Sequence, residues 1–230
     1  ISEKYEEQIP EHVRSHFLDK KISKIDEVLS KSNLKNTKGL DLGCGLGWYT
    51  QSMYEKGYNV IGVDYSKDYI KKAKQNSKSS HLHFIMGDAR RLPFRDASFG
   101  FVFSINVFHH NSIESQELAF SEVARVLIPE GIFFLHEINI INPIFRFYVN
   151  YIFPRLRTID TGGEKWIIPK NLYKRTDFKV LGITWFSFLP DFIPNTIYLP
   201  IKKVEAMLEM TTFARYGIHY MAVLKKIRND

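Results

Sequence analysis

Between Gly39 and Ile138, five short apolar runs alternate with segments of helical period, a pattern that few folds can accommodate. The runs are Gly39–Gly43, Asn59–Asp64, His81–Met86, Phe99–Ile105 and Gly131–Ile138. Trp48–Glu55, a helix capped by Ser66 and running through Lys74, and Glu114–Leu127 separate them. Strands alternating with helices imply βαβ units and a parallel sheet covered on both faces. The fold class is therefore α/β. Upstream, residues 11–30 place Val13, Phe17, Ile22, Ile25, Val28 and Leu29 at near-helical spacing among charges, which predicts an amphipathic helix. The turn Pro129-Glu130-Gly131 precedes the fifth strand.

Beyond Pro143 the alternation lapses, and three segments follow from that: 1–34 as an N-terminal helical cap, 35–142 as the core, and 143–230 as an elaborated third. A helix over Ile144–Phe153, a loop over Thr158–Pro169, strands at Lys179–Phe188 and His219–Lys225, and a helix at Ile201–Met210 are expected there. Charge divides at the same place. Residues 1–142 hold 18 Lys+Arg against 18 Asp+Glu, whereas 143–230 hold 14 against 7 and 16 of the 33 aromatic residues. A basic, aromatic surface of this kind suits an anionic partner such as nucleic acid, a phospholipid face or an acidic substrate. The single cysteine, Cys44, excludes a disulfide framework and multi-cysteine zinc sites, and no metal is expected. It suits a reducing, cytoplasmic setting. Proline at 190, 194 and 200 breaks the closest approach to a membrane-spanning run.

Ligands of an open parallel sheet bind beyond the carboxyl ends of its strands, so the residues there carry the chemistry. The first run is followed by Asp41-Leu42-Gly43-Cys44-Gly45-Leu46-Gly47, where glycines let backbone approach a ligand at the start of a helix. No Lys-Ser/Thr pair follows, which excludes a P-loop, and the glycine spacing disfavours a dehydrogenase. The second ends in Asp64, a carboxylate suited to two ribose hydroxyls. Asp88 follows the third, and Asn106, His109 and His110 follow the fourth. His136-Glu137-Ile138-Asn139 closes the fifth.

LDLGCGLG at 40–47, VIGVD at 60–64, GDARRLPF at 87–94, ASFGFVFSINVFHH at 97–110 and EVARVLIPEG at 122–131 together resemble the class I S-adenosylmethionine-dependent methyltransferases. The resemblance covers roughly residues 35–140 and departs only at Pro129-Glu130-Gly131, usually Pro-Gly-Gly. It implies a Rossmann-like, seven-stranded, mostly parallel sheet with an antiparallel last hairpin and a helical insertion in the C-terminal third. The implied cofactor is S-adenosylmethionine, leaving as S-adenosylhomocysteine. Residue by residue, Asp41 and the backbone of Gly43 and Gly45 would hold the methionine moiety. Asp64 would take the ribose, Tyr65 the adenine face, Asp88 and Ala89 the adenine edge, and Ile105-Asn106 the amino group.

A sulfonium methyl is already activated, so the protein's task is in-line alignment of the acceptor and, for a hydroxyl or phenol, removal of a proton. His109, His110 and Glu137 are the candidate catalytic residues, and Glu137 is the best single one. Asn139, Arg146, Tyr151 and Trp166 are the candidate acceptor contacts, with Gly162-Gly163 beside Trp166 suiting a mobile lid. Phe186, Phe188, Phe192 and Tyr198 could line an apolar pocket. The expectation is methyl transfer to a small, largely apolar or aromatic acceptor. The alternatives are a transfer RNA (wobble uridine) methyltransferase, which the core also resembles; a non-catalytic cofactor-binding partner subunit; and a peripheral membrane protein dipping Phe145–Pro154 or Trp185–Pro200 into lipid. The sequence leaves the oligomeric state open.

Overall fold

A computed structural model describes residues 11–147, 150–151, 163–188 and 195–228. Its centre is a seven-stranded sheet of order β3-β2-β1-β4-β5-β7-β6. The strands are β1 (Lys38–Leu42), β2 (Asn59–Asp64), β3 (His83–Met86), β4 (Phe99–Ile105), β5 (Leu127–Ile138), β6 (Phe178–Phe186) and β7 (His219–Lys226). β1 to β5 pair in parallel, and β7 alone runs against its neighbours, pairing antiparallel with both β5 and β6. The expected last hairpin is therefore present. The chain leaves β1 toward β2 and β3, then returns to lay β4 on the other side of β1. That reversal opens a crevice beyond the carboxyl ends of β1 and β4, where ligands of such sheets bind.

Helices α1 (Glu11–Ser30), α2 (Trp48–Glu55), α3 (Lys67–Asn76) and α4 (Ile113–Val126) cover the sheet. Each follows from local chemistry. Ser66 caps α3, its hydroxyl accepting from the Tyr69 N–H at 3.3 Å, and Ser112 caps α4 in the same way through Ser115. The parity of β5 sorts the two faces of the sheet. Phe133 and Leu135 point into a core shared with Phe120, Val123 and Val126 of α4. Ile132 and Phe134 point the other way, into a core shared with Ile22, Ile25 and Leu29 of α1. The N-terminal cap thus contributes directly to the main core.

Two expectations change. Pro129-Glu130-Gly131 lies within the continuous strand β5, with Glu130 at φ 65° taking up a shift in the β4–β5 register. Of the helix expected over Ile144–Phe153, α5 (Pro143–Phe147) and the helical Asn150 and Tyr151 are described, and residues 148–149 and 152–162 lie outside the described part. Helix α6 (Pro169–Leu172) was not expected, while α7 (Asn195–Glu209) starts earlier than Ile201.

Candidate functional site

The loop after β1 is shaped by glycines at positive φ: 78° at Gly43 and 52° at Gly45. A Cβ at Gly43 would come within 2.3 Å of Val107, so that glycine lets the β1 loop pack on the loop after β4. A Cβ at Gly45 would meet nothing within 4 Å, so its face looks onto open space at the crevice. The backbone N–H groups expected to meet a ligand are engaged within the protein. Gly43 donates to the Val63 carbonyl (2.7 Å) and Gly45 to Asp64 Oδ2 (2.8 Å). What this loop offers a ligand is an uncluttered backbone surface at Gly45.

Asp64 is the clasp between two loops. Its Oδ2 accepts from Gly45 N–H and its Oδ1 from Ser66 N–H, both at 2.8 Å. Each oxygen keeps a second lone pair, enough to accept two hydroxyls. Burial raises the carboxyl pKa, opposed by those two N–H donors. Tyr65 beside it is 74% exposed, a free aromatic face at the crevice.

Asp41 lies deeper, accepting from Thr50 Oγ1 at 2.6 Å. Burial pushes its carboxyl up to about 7 against the Thr50 bond, with the charge of Asp64 adding to the rise. A raised acid pKa means that the folded state holds a proton which the unfolded chain releases. Stability therefore falls as pH rises from about 4 through 7. Asp41→Asn should remove that fall, stabilising the protein by up to about 4 kcal/mol at pH 8 and by much less at pH 5. Urea denaturation at the two pH values measures the difference; an equal effect at both would show that Asp41 is not a strained carboxyl.

At the third strand end, Asp88 is engaged by a residue that sequence reasoning left unassigned. Arg90 Nη2 donates to Asp88 Oδ2 at 2.6 Å, with Nε at 3.0 Å from both oxygens, and the guanidinium holds the carboxyl below its ordinary range. Reading an adenine edge through Asp88 requires this exposed arginine to swing aside. Ala89, half-buried, packs against the core beside it.

The loop after β4 holds the densest polar arrangement. Ile105 is buried, and Asn106 takes φ 57° with its Oδ1 3.0 Å from His136 Nδ1. Glu137 is buried with both oxygens engaged: Oε1 accepts from Phe108 N–H (2.8 Å) and Oε2 lies 2.5 Å from His109 Nδ1. The structure therefore makes Glu137 a positioning residue for His109. A carboxylate on Nδ1 fixes the tautomer, leaving Nε2 as the basic nitrogen of the ring. His109 is itself only 2% exposed, with Trp166 stacked on it at 4.9 Å and His110 at 4.0 Å. His110 stands at the exposed rim.

Of the acceptor contacts expected, Trp166 is brought to this cluster. The segment carrying it is a strap fastened over His109; Gly162 of the expected lid lies outside the described residues. Lys165 N–H donates to the His109 carbonyl (2.9 Å), and Gln116 Nε2 ties the carbonyls of Phe108 and Lys165 together at 3.0 and 2.7 Å. Asn139, expected as an acceptor contact, is engaged within the fold. It is fully buried, and its amide hydrogens bond the carbonyls of Arg215 and Gly217 at 2.9 and 2.8 Å, pinning β5 to the turn before β7. Arg146 and Tyr151 are exposed at and beyond α5, Tyr151 against Phe147. Phe186 belongs to the core and Phe188 is half-buried; Phe192 and the Tyr198 side chain lie outside the described residues.

Sequence reasoning missed Lys21, Tyr49 and His219. Lys21 sits one helical turn from both Phe17 and Ile25, inside the apolar stripe of α1, and that misplaced charge was the available signal. It also missed the buried carboxylate of α7. This helix buries Glu205, which accepts from Lys20 of α1 at 2.8 Å, and turns Val204 and Met207 outward. Met210 and Phe213 continue that exposed apolar face.

Residues 40–135 match the family described as a methyltransferase domain. The sterol 24-C-methyltransferase of Gibberella zeae is 34% identical over 105 residues, covering 44% of this chain and 27% of its own length. The cyclopropane-fatty-acyl-phospholipid synthase of Escherichia coli is 27% identical over 178 residues, covering 72% and 45%. The solved PH0226 protein of Pyrococcus horikoshii superposes with a TM-score of 0.60 at 25% identity, covering 94% of this chain and 92% of that one. Named relatives range from sterol and phospholipid enzymes to a tRNA methyltransferase, and this chain spans less than half the length of the curated relatives it matches. Sheet order, glycine loop and strand-end carboxylates agree with the matched methyltransferase domain, so residues 40–135 are similar to the catalytic core of class I S-adenosylmethionine-dependent methyltransferases.

Proposed function

We propose that this chain transfers a methyl group from S-adenosylmethionine to a small, largely apolar acceptor. The observation that carries the cofactor is the Asp64 clasp: a carboxylate with one lone pair per oxygen to spare, beside a glycine face that opens on the crevice. Residues that fit the cofactor are Asp41, Gly43 and Gly45 for its methionine end, Asp64 and Tyr65 for ribose and adenine face, and Asp88, Ala89, Ile105 and Asn106 around the rest. The bound cofactor supplies an activated methyl on sulfur. The protein's own contribution is alignment, exclusion of water by the Trp166 strap, and a histidine whose tautomer Glu137 fixes so that Nε2 can take the acceptor's proton. The outward Val204, Met207, Met210 and Phe213 support an apolar acceptor, delivered free or from a lipid surface. No helix among the described residues is long and apolar enough to cross a membrane.

Calorimetric titration tests the cofactor. S-adenosylhomocysteine should bind in the micromolar range and NAD⁺ should not; the reverse, or no binding of either, removes the reading. Turnover on apolar acids and on transfer RNA, each across a salt series, then separates the acceptor classes. Activity on RNA that collapses between 50 and 200 mM salt, roughly the range over which phosphate contacts weaken, would replace the small-molecule reading.

A further inference from the structure

The face of the sheet covered by α1 carries a buried group of nitrogen functions that the cofactor does not use. Lys21, 4% exposed, donates from Nζ to the Tyr49 hydroxyl at 3.1 Å. It lies 5.7 Å from the Phe17 ring centre, and Phe17 in turn packs edge-on against His219 at 5.5 Å. The ring of His136 is 5.0 Å from that of His219. His136 lies on β5 in phase with Ile132 and Phe134, on the α1 side. Among the described residues, the buried side-chain atoms without a hydrogen-bond partner are His136 Nε2, His219 Nδ1 and Ser187 Oγ. All three lie at the ligand edge of β5, β7 and β6.

The nearby carboxylates are engaged elsewhere. Glu137, next on β5, faces the other side of the sheet and holds Phe108 and His109. Glu205 holds Lys20, His16 and the Phe188 N–H, and Glu209 holds Lys20 and the Ser187 N–H. Lys21 is thus a buried amine bonded only to a phenol among the described residues, beside two imidazoles with nitrogens to spare. Such an arrangement is costly alone and is relieved by one anion. Burial lowers the Lys21 amine to about 7, against the pull of Glu137, and burial together with the Lys21 charge keeps both imidazoles well below their ordinary range.

We propose that Lys21, His136 and His219 form the recognition site for a carboxylate on the methyl acceptor. This deepens the methyltransferase reading and rests on it for the word acceptor. Turning the Asn106 amide over reverses its bond to His136 Nδ1 and lets Nε2–H donate outward. Asn106 belongs to the loop that borders the cofactor's amino group, and its backbone N–H donates to the His136 carbonyl at 3.0 Å. The acid end of the acceptor would therefore lie next to the loop that borders the cofactor's amino group.

Octanoate and octanol are the probes, titrated by calorimetry into the whole chain with and without S-adenosylhomocysteine. Octanoate should bind at least about tenfold tighter than octanol. Lys21→Met, which substitutes a similar volume without the charge, should erase that preference while leaving the affinities for octanol and S-adenosylhomocysteine unchanged. His219→Gln should reduce it in part. By NMR, the Lys21 side-chain titration midpoint should rise when octanoate saturates the protein. Failure of octanoate to bind, or equal octanoate affinity in wild type and Lys21→Met, overturns the proposal. Failure of S-adenosylhomocysteine to bind overturns the methyltransferase reading and leaves the octanoate comparison standing.

Discussion

Asp64→Ala is expected to weaken S-adenosylhomocysteine binding by at least about 100-fold, from the loss of two hydrogen bonds to a charged acceptor at about 1.5–3 kcal/mol each. The same carboxylate joins the β1 and β2 loops through Gly45 and Ser66. Its removal leaves both N–H donors without their acceptor and should lower stability by about 1–3 kcal/mol. Asp64→Asn retains one carbonyl oxygen and should fall between the two proteins on both measures. Calorimetric affinity and urea denaturation on the three proteins separate ribose binding from loop clasping. An unchanged affinity in Asp64→Ala would refute the ribose assignment, whatever happened to stability.

Glu137→Gln is the second large effect. Glutamine can still accept from the Phe108 N–H, so the turn after β4 should persist, but its amide would donate to His109 Nδ1 where a carboxylate accepted. The imidazole would then carry its proton on Nε2, the wrong nitrogen for a base. Turnover should fall about 100-fold or more, the range lost with a positioned general base, while S-adenosylhomocysteine affinity stays the same. Normal turnover would reduce Glu137 and His109 to a structural clip between β5 and the 106–110 turn.

The sheet was legible in the sequence because its signals are local. Strands β2 and β4 and helix α2 carry an apolar period and flanking turn residues that mark their ends to the residue. Asp41, Asp64 and Asp88 could be placed at strand ends for the same reason, since strand period and loop position need only neighbours in the chain. Their partners could not. Arg90 on Asp88, Thr50 on Asp41 and the two backbone N–H groups on Asp64 depend on how a loop closes.

The C-terminal third shows the limit most clearly. Asn139 looked like an acceptor contact because a polar residue closes an apolar strand, but its amide is bound to carbonyls more than 70 residues away. Likewise, nothing local in the sequence of α7 marks Glu205 as buried; it is buried because Lys20 and His16 of α1 face it. Lys21 stood in plain view within the apolar stripe of α1. Its place beside His136 and His219 required β5 and β7, more than 100 residues downstream, to bring those rings beneath the helix. The order of apolar runs and the chemistry at their ends were set by the sequence itself, because period and spacing act within a few residues. Which charges are paired, which are buried alone and which face a ligand were decided only by the tertiary structure, because burial and electrostatic partners are created by contacts between distant segments.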